Sequence, residues 1–299
     1  MELWILLGFL SAITYALADI ISKKILIKYD TSPTQIMFEQ HLFNILIILL
    51  VFFPFIDFSF FYDYFYIFLF KGFIVAGVAI VYFSLMKKYE VSVVSPLTNL
   101  SPIILLIFTS TILGEHVTFF QIIGILITIV ATYILEVNHH HHTKSEPHEF
   151  HFKQLFRKPS EFFIYAFLLL TMMSLTSILD KTLLDTGMGV YSNMYFTSVC
   201  VFALVSIYFI TKGNFKDRLR KMVKEPETFS IGIIRFVDSL IILSALAIPG
   251  VLLSLLIPIR RTSTLFSAIG GGLLFHEKHM MRKIIAVVLM LVGLGFILL

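Results

Sequence analysis

The stretch Ser95–Glu115, SPLTNLSPIILLIFTSTILGE, decides the architecture because it recurs in register as Ile257–Glu277, IPIRRTSTLFSAIGGGLLFHE. In each copy a proline (Pro96, Pro258) is followed 19 residues later by a glutamate (Glu115, Glu277). The register continues past the acid: Ile122-Ile123 matches Ile284-Ile285, and Ala131 matches Gly293. A weaker echo links Lys24, near the end of the first apolar run, with Lys181, at the end of the sixth. Self-similarity at a fixed offset marks a duplicated unit.

The composition says what that unit is made for. Of 299 residues, 58% are apolar and 14% charged, where a soluble domain has roughly 45–50% apolar and about 25% charged residues. Thirty-two Phe, 12 Tyr and one Trp push the same way. A soluble enzyme, a disordered chain and a disulfide-stapled secreted domain are excluded, the last because Cys200 stands alone. The net charge of +4 argues for no nucleic-acid partner. The chain reads as all-α and integral to the cell membrane, with the lipid bilayer as its solvent.

A helix crosses the hydrocarbon with about 20 apolar residues. Outward from the quoted stretch, the runs that qualify are Leu3–Ser22, Gln35–Phe55, Tyr66–Met86, Ser92–Leu113 and Phe119–Val137. They resume at Phe162–Leu179, Tyr191–Ile210, Phe229–Ala247, Val251–Phe275 and Lys283–Leu299. That predicts ten transmembrane helices. The runs are continuous where strands of a barrel would alternate. The first run lacks a basic leader and a small-residue cleavage site, so it reads as a retained span.

Ten spans with an internal duplication give residues 1–137 as a first five-helix repeat, 138–160 as a polar linker and 161–299 as a second repeat. Five is odd, so the second copy enters the membrane from the opposite side. Inverted repeats are the arrangement by which many secondary transporters build a central site open alternately to either face. Of the 23 Lys and Arg, eighteen fall in loops after odd-numbered spans, and Lys71 and Lys181 fall on the other side. The positive-inside rule then places the odd loops in the cytoplasm and both termini outside.

The motif residues Ser95-Pro96-Leu97 through Pro102, then Leu113-Gly114-Glu115, Gln121 and Gly124, resemble the signature of EamA-type carriers of the drug/metabolite transporter superfamily. The second copy departs from it: Pro258 and Glu277 are present, but His276 and Ala286 replace the two glycines. The basic residue usual early in the second span is replaced by Glu39 and His41. The resemblance spans the whole chain. It implies a ten-helix, two-repeat basket that transports small metabolites and has cytoplasmic termini, which opposes the orientation given by the charge count.

Ionisable residues inside a span are costly and mark function. Arg260 and Arg261 follow Pro258 in mid-span, where the proline removes a backbone hydrogen bond. Guanidinium forks suit a carboxylate or phosphate, which points to an anionic small-molecule substrate. Adjacent residues point about 100° apart on a helix, so one arginine is expected to face a cavity while the other pairs with an acid. Arg235 and Asp238 share a face of the eighth span and are expected to pair with each other, for packing or for transport. Glu39 reads either as a carboxylate coupling transport to a proton or ion, or as the partner of Arg260 or Arg235. Asn99, with Ser95, Thr98 and Ser101, offers neutral hydrogen-bonding groups opposite the arginines. Glu115 and Glu277 are expected to cap the helix that follows each, and Gly270-Gly271-Gly272 to allow close packing.

Six of the ten histidines, among them His139, His140, His141 and His142, crowd the linker. Neutral imidazoles at this density bind Zn, Ni or Cu loosely, but without fixed geometry or mixed ligands the segment reads first as a solvated arm. A divalent-metal exporter using this arm is the rival reading, and deleting His139–His142 separates the two. No nucleophile–base set, His-Glu-x-x-His or phosphate-binding Gly-x-x-x-x-Gly-Lys loop occurs. The pattern therefore calls for no cofactor, no enzymatic chemistry and no direct ATP coupling.

Overall fold

All regular structure among the described residues is helical. The computed structural model describes residues 2–29, 32–88, 98, 100–136, 161–224, 228–263, 266 and 280–297. In the first half these form α1 (Leu3–Lys28), α2 (Pro33–Val51), α3 (Phe65–Lys88), α4 (Ser101–Phe108) and α5 (Phe119–Glu136). The second half supplies α6 (Glu161–Asp185), α7 (Val190–Thr211), α8 (Thr228–Leu246), α9 (Leu253–Arg261) and α10 (Met280–Ile297). Two short helices, Ser59–Asp63 and Phe215–Lys224, lie between α2 and α3 and between α7 and α8. Among the described residues, α1, α2, α3, α6 and α7 contain segments long and apolar enough to cross a bilayer.

Helix α1 turns an apolar stripe outward and carries polar groups on its buried face. Along α1, Leu3, Leu6, Leu10, Ile13 and Leu17 are all exposed, a stripe at helical spacing that suits acyl chains. The opposite face carries Ser11, Ala18, Asp19 and Ser22, all buried. Helix starts follow local chemistry. Ser32 caps α2 by accepting from the Gln35 backbone N–H at 3.3 Å, with Pro33 at the first helical position. Thr118 and Gln121 form a reciprocal capping box at the start of α5 (3.3 and 2.9 Å).

The helices pack across the two halves. Helix α1 lies against α8 and α9, α6 against α3 and α4, α2 against α7, α8 and α3, and α7 against α3 and α8. Helix α4 touches α9, and α5 runs against α10. That last contact is close because both helices are bare where they meet. A Cβ added at Gly124 would lie 2.5 Å from the Gly293 carbonyl oxygen, and one at Gly293 would lie 2.5 Å from Thr128 Oγ1. Small residues at a crossing let backbones approach in the absence of a hydrophobic drive between helices.

Each quoted stretch leaves regular α-helix early. After α4 the chain makes a single π-type turn, Thr109–Leu113, and leaves it through Gly114 at φ 66°, a conformation that suits glycine. Glu115 then caps a helix, but not the one that follows it. Its carboxylate accepts from the Leu253 N–H (2.8 Å), the Ser254 N–H (3.0 Å) and the Ser254 hydroxyl (2.5 Å) at the start of α9. An acid there satisfies orphan donors and favours the positive end of the helix. The next helix, α5, needs no such help because Thr118 caps it. Helix α9 itself ends at Arg261, with Thr262 as its C-cap, so the ninth run is not one uninterrupted helix. Glu277 and Gly270–Gly272 lie outside the described residues.

Candidate functional site

The buried charges converge on Tyr15. The guanidinium groups of Arg260, Arg235 and Arg261 lie 4.7, 5.0 and 6.0 Å from its ring centroid, within cation–π range. Helix α1 brings Ser11, Thr14, Tyr15 and Asp19 to this point because they recur at three- and four-residue spacing. Helix α8 contributes Arg235 and Asp238, and the last turn of α9 contributes Arg260 and Arg261, where cations favour the negative helix end.

The pairing inside this cluster differs from the local expectation. Arg235 is held by Asp19 at 2.6 Å, and Asp238 by Arg260 at 2.6 Å. Asp238 also accepts from Ser11 (2.8 Å) and Thr14 (3.3 Å), and Asp19 from the Tyr82 hydroxyl of α3 (3.1 Å). The Arg235–Asp238 pair inferred from their three-residue spacing is therefore replaced by two pairs between helices. Each joins a cation and an acid that local spacing would not connect. Removing either partner would strand a buried charge.

Beside the cluster, α4, α6 and α9 border a small cleft with an interior volume of about 50 Å³. It is lined by Ser101, Leu105, Met173, Ser174, Ser177, Ile257, Arg260 and Arg261. Small-molecule sites run roughly 300–1,000 Å³, so in this conformation the cleft is too narrow for a metabolite and would have to widen to admit one. Both arginines line it, Arg260 while paired with Asp238, where one of the two was expected to face away. Pro258 sits one turn upstream inside α9 and leaves the Ser254 carbonyl without its helical donor. Among the described residues, Arg260 Nε and Ser101 Oγ are buried without a hydrogen-bond partner, two polar groups directed to a site that supplies none.

Glu39 lies elsewhere. Near the start of α2 it is buried and accepts from the Gln35 side chain, which also donates to the Arg218 carbonyl at 3.2 Å. The partners found for Arg235 and Arg260 are Asp19 and Asp238, so Glu39 does not take the role of neutralising them. His41 and Asn44, two and five residues on, both hydrogen-bond Ser198 of α7 (3.3 and 3.4 Å). Asn99 and His139–His142 lie outside the described residues. Thr98 and Ser101, the described neighbours of Asn99, are buried.

A third buried ion pair lies outside the Tyr15 cluster. Lys71 of α3 donates to Asp180 (2.5 Å), Asn193 (2.6 Å) and Thr197 (2.8 Å), and Asn193 also donates to Asp180 at 2.9 Å. Lys71, counted with one side of the membrane although the run Tyr66–Met86 contains it, lies inside α3 and is 2% exposed. Asp180 was placed beyond a span ending at Leu179, whereas α6 continues to Asp185. Asp19 and Tyr15 were passed over although an acid in the apolar run Leu3–Ser22, four residues after a tyrosine, was a visible signal.

Residues 2–137, which contain α1 to α5, match the model of the EamA-like transporter family. Over those residues the chain is similar to that family. That similarity and the apolar helices point to a multi-pass integral membrane protein. No curated protein matches the sequence. Among solved structures, one described only as a crystal structure of a protein aligns over 98% of this chain and 94% of its own, with a TM-score of 0.66 and 13% identity. At that identity the likeness is one of fold. It extends over the second half as well, beyond the residues matched to the EamA-like family.

Proposed function

We propose that this EamA-like protein is a secondary-active carrier that moves a small anionic metabolite across the membrane by alternating access. Its ten spans form two inverted five-helix repeats, residues 1–137 and 161–299, joined by the linker 138–160. The packing supports this reading, because exchanging the halves maps the most extensive helix contacts onto themselves. The α1–α8 contact becomes α6–α3, α1–α9 becomes α6–α4, α2–α8 becomes α7–α3, and α2–α3 becomes α7–α8. The contacts α2–α7, α4–α9 and α5–α10 map onto themselves.

The buried ion pairs follow the same exchange. Asp19 and Asp180 are 161 residues apart and Lys71 and Arg235 are 164 apart, against 162 for Pro96 and Pro258. The pair α1–α8 thus has its mate in the pair α6–α3.

The observation that carries the functional reading is the cleft. Two guanidinium groups on a broken helix line it together with three serines, and two of its polar atoms have no partner. Fixed guanidinium donors select carboxylates and phosphates, and Leu105, Met173 and Ile257 give the substrate an apolar contact. Asp238 and Tyr15 hold Arg260 in place, so an arriving anion meets a preformed donor.

A thermal-shift screen of the purified protein against amino acids, organic acids, sugar phosphates and divalent metals tests the substrate class. A ligand that binds only the folded state raises its apparent stability. The expected hits are anions, with the shift lost in Arg261→Gln. Hits confined to divalent metals would overturn the reading.

A further inference from the structure

The short helix Phe215–Lys224, FKDRLRKMVK, carries five basic residues and one acid, and the transport site does not use it. It begins immediately after a span. Helix α7 ends in a Schellman turn, with the Gly213 N–H on the Ile210 carbonyl (2.9 Å), the Asn214 N–H on the Phe209 carbonyl (3.1 Å) and Gly213 at φ 69°. The helix therefore starts four residues after Thr211, the end of a segment long and apolar enough to cross a bilayer.

Its apolar side is already occupied. Phe215 and Leu219 pack against the cluster of Phe38, Val205 and Phe209, and the Phe215 and Phe38 rings meet edge to face at 5.7 Å. Arg218 stacks over the Phe209 ring at 5.2 Å. With the apolar face turned inward, the outer face is cationic. Lys216 and Arg220 are exposed one turn apart, and Lys212, exposed as the C-cap of α7, precedes them. Among the described residues none of these three has an ion-pair partner. Like charges one turn apart destabilise a helix unless an anion answers them.

We propose that Lys212, Lys216 and Arg220 form a docking surface for the headgroups of anionic phospholipids. Three observations commit it to lipid. The helix adjoins the end of a span, its apolar face is consumed by the protein, and its charge complements an anionic leaflet. The contact reaches into the bundle through the Gln35–Arg218 hydrogen bond, which places Glu39 one bridge away.

The test uses the intact protein in nanodiscs of phosphatidylcholine with a minority of phosphatidylglycerol, with spin-labelled lipid of each kind reporting motional restriction at the protein surface. The wild type is expected to favour phosphatidylglycerol at low salt and to lose that preference at high salt, where surface charge is screened. Each cation removed is expected to weaken the preference about five-fold, so Lys212→Gln/Lys216→Gln/Arg220→Gln abolishes it and the charge-preserving Lys212→Arg/Lys216→Arg/Arg220→Lys retains it. The salt comparison needs no variant. No preference in the wild type, an undiminished preference in the triple Gln variant, or equally tight capture of heparin by protein in phosphatidylcholine-only discs would overturn the proposal.

Discussion

Arg235 of α8 is bound at 2.6 Å to Asp19 of α1, 216 residues away in the chain, while Asp238 three residues on is taken by Arg260. The two pairs pin α1, α8 and α9 together around Tyr15 and set the arginines that line the cleft. In hydrocarbon, where apolar contact between helices gains little over contact with lipid, polar links of this kind and close packing decide which helices are neighbours.

Asp19→Asn or Arg235→Gln alone should therefore lower stability by about 3–5 kcal/mol, because each strands the opposite buried charge. The double variant should lose less than either single variant. Thermal unfolding in detergent checks this, and single variants that melt with the wild type would contradict it.

These residues also mark where the sequence was legible and where it stopped being so. Apolar runs about 20 residues long located the helices, because solvation by lipid acts on each run separately. The Pro–Glu repeat at a 162-residue offset was equally open to reading. The partners of Arg235 and Asp238 were not, since spacing along one helix reports only local neighbours and the competing partners arrive from α1 and α9. Glu115 carries the same lesson: its capping role was visible, but the helix it caps lies in the other half. The Lys71–Asp180 pair was hidden because Asp180 falls just past the apolar run Phe162–Leu179 and Lys71 counted as a topology charge, whereas a compensated pair can sit within spans.

Glu115→Ala should cost about 1–2 kcal/mol by orphaning the Leu253 and Ser254 N–H groups, and Glu115→Gln less, since one acceptor oxygen remains. Chemical denaturation of the two variants against the wild type ranks them. Equal stability of all three would contradict the cap between the halves.

At the α5–α10 contact, Gly124→Ala should destabilise by about 1–3 kcal/mol, because the new Cβ meets backbone atoms of Gly293 and Ile297. Gly295→Ala, on the same helix pair with nothing within 4 Å of the added Cβ, should be neutral or gain up to about 1 kcal/mol of helix propensity. A melting temperature that falls equally for both would sink the distinction.

Lys71→Met should weaken the protein more than the combined Lys71→Met/Asp180→Asn, since the single change leaves Asp180 facing Asn193 without its cation. A double-variant cycle on unfolding temperature reads the coupling. Strictly additive losses would mean that the pair contributes nothing as a pair.

The central claim is that Arg260 and Arg261 receive the anion that this protein carries. Its most direct test is uptake of a radiolabelled anion, chosen from the thermal-shift hits, into proteoliposomes bearing wild type, Arg260→Gln or Arg261→Gln. The account predicts time-dependent uptake by the wild type and loss of uptake in each variant that still folds and inserts. Transport by both variants at the wild-type rate would contradict it.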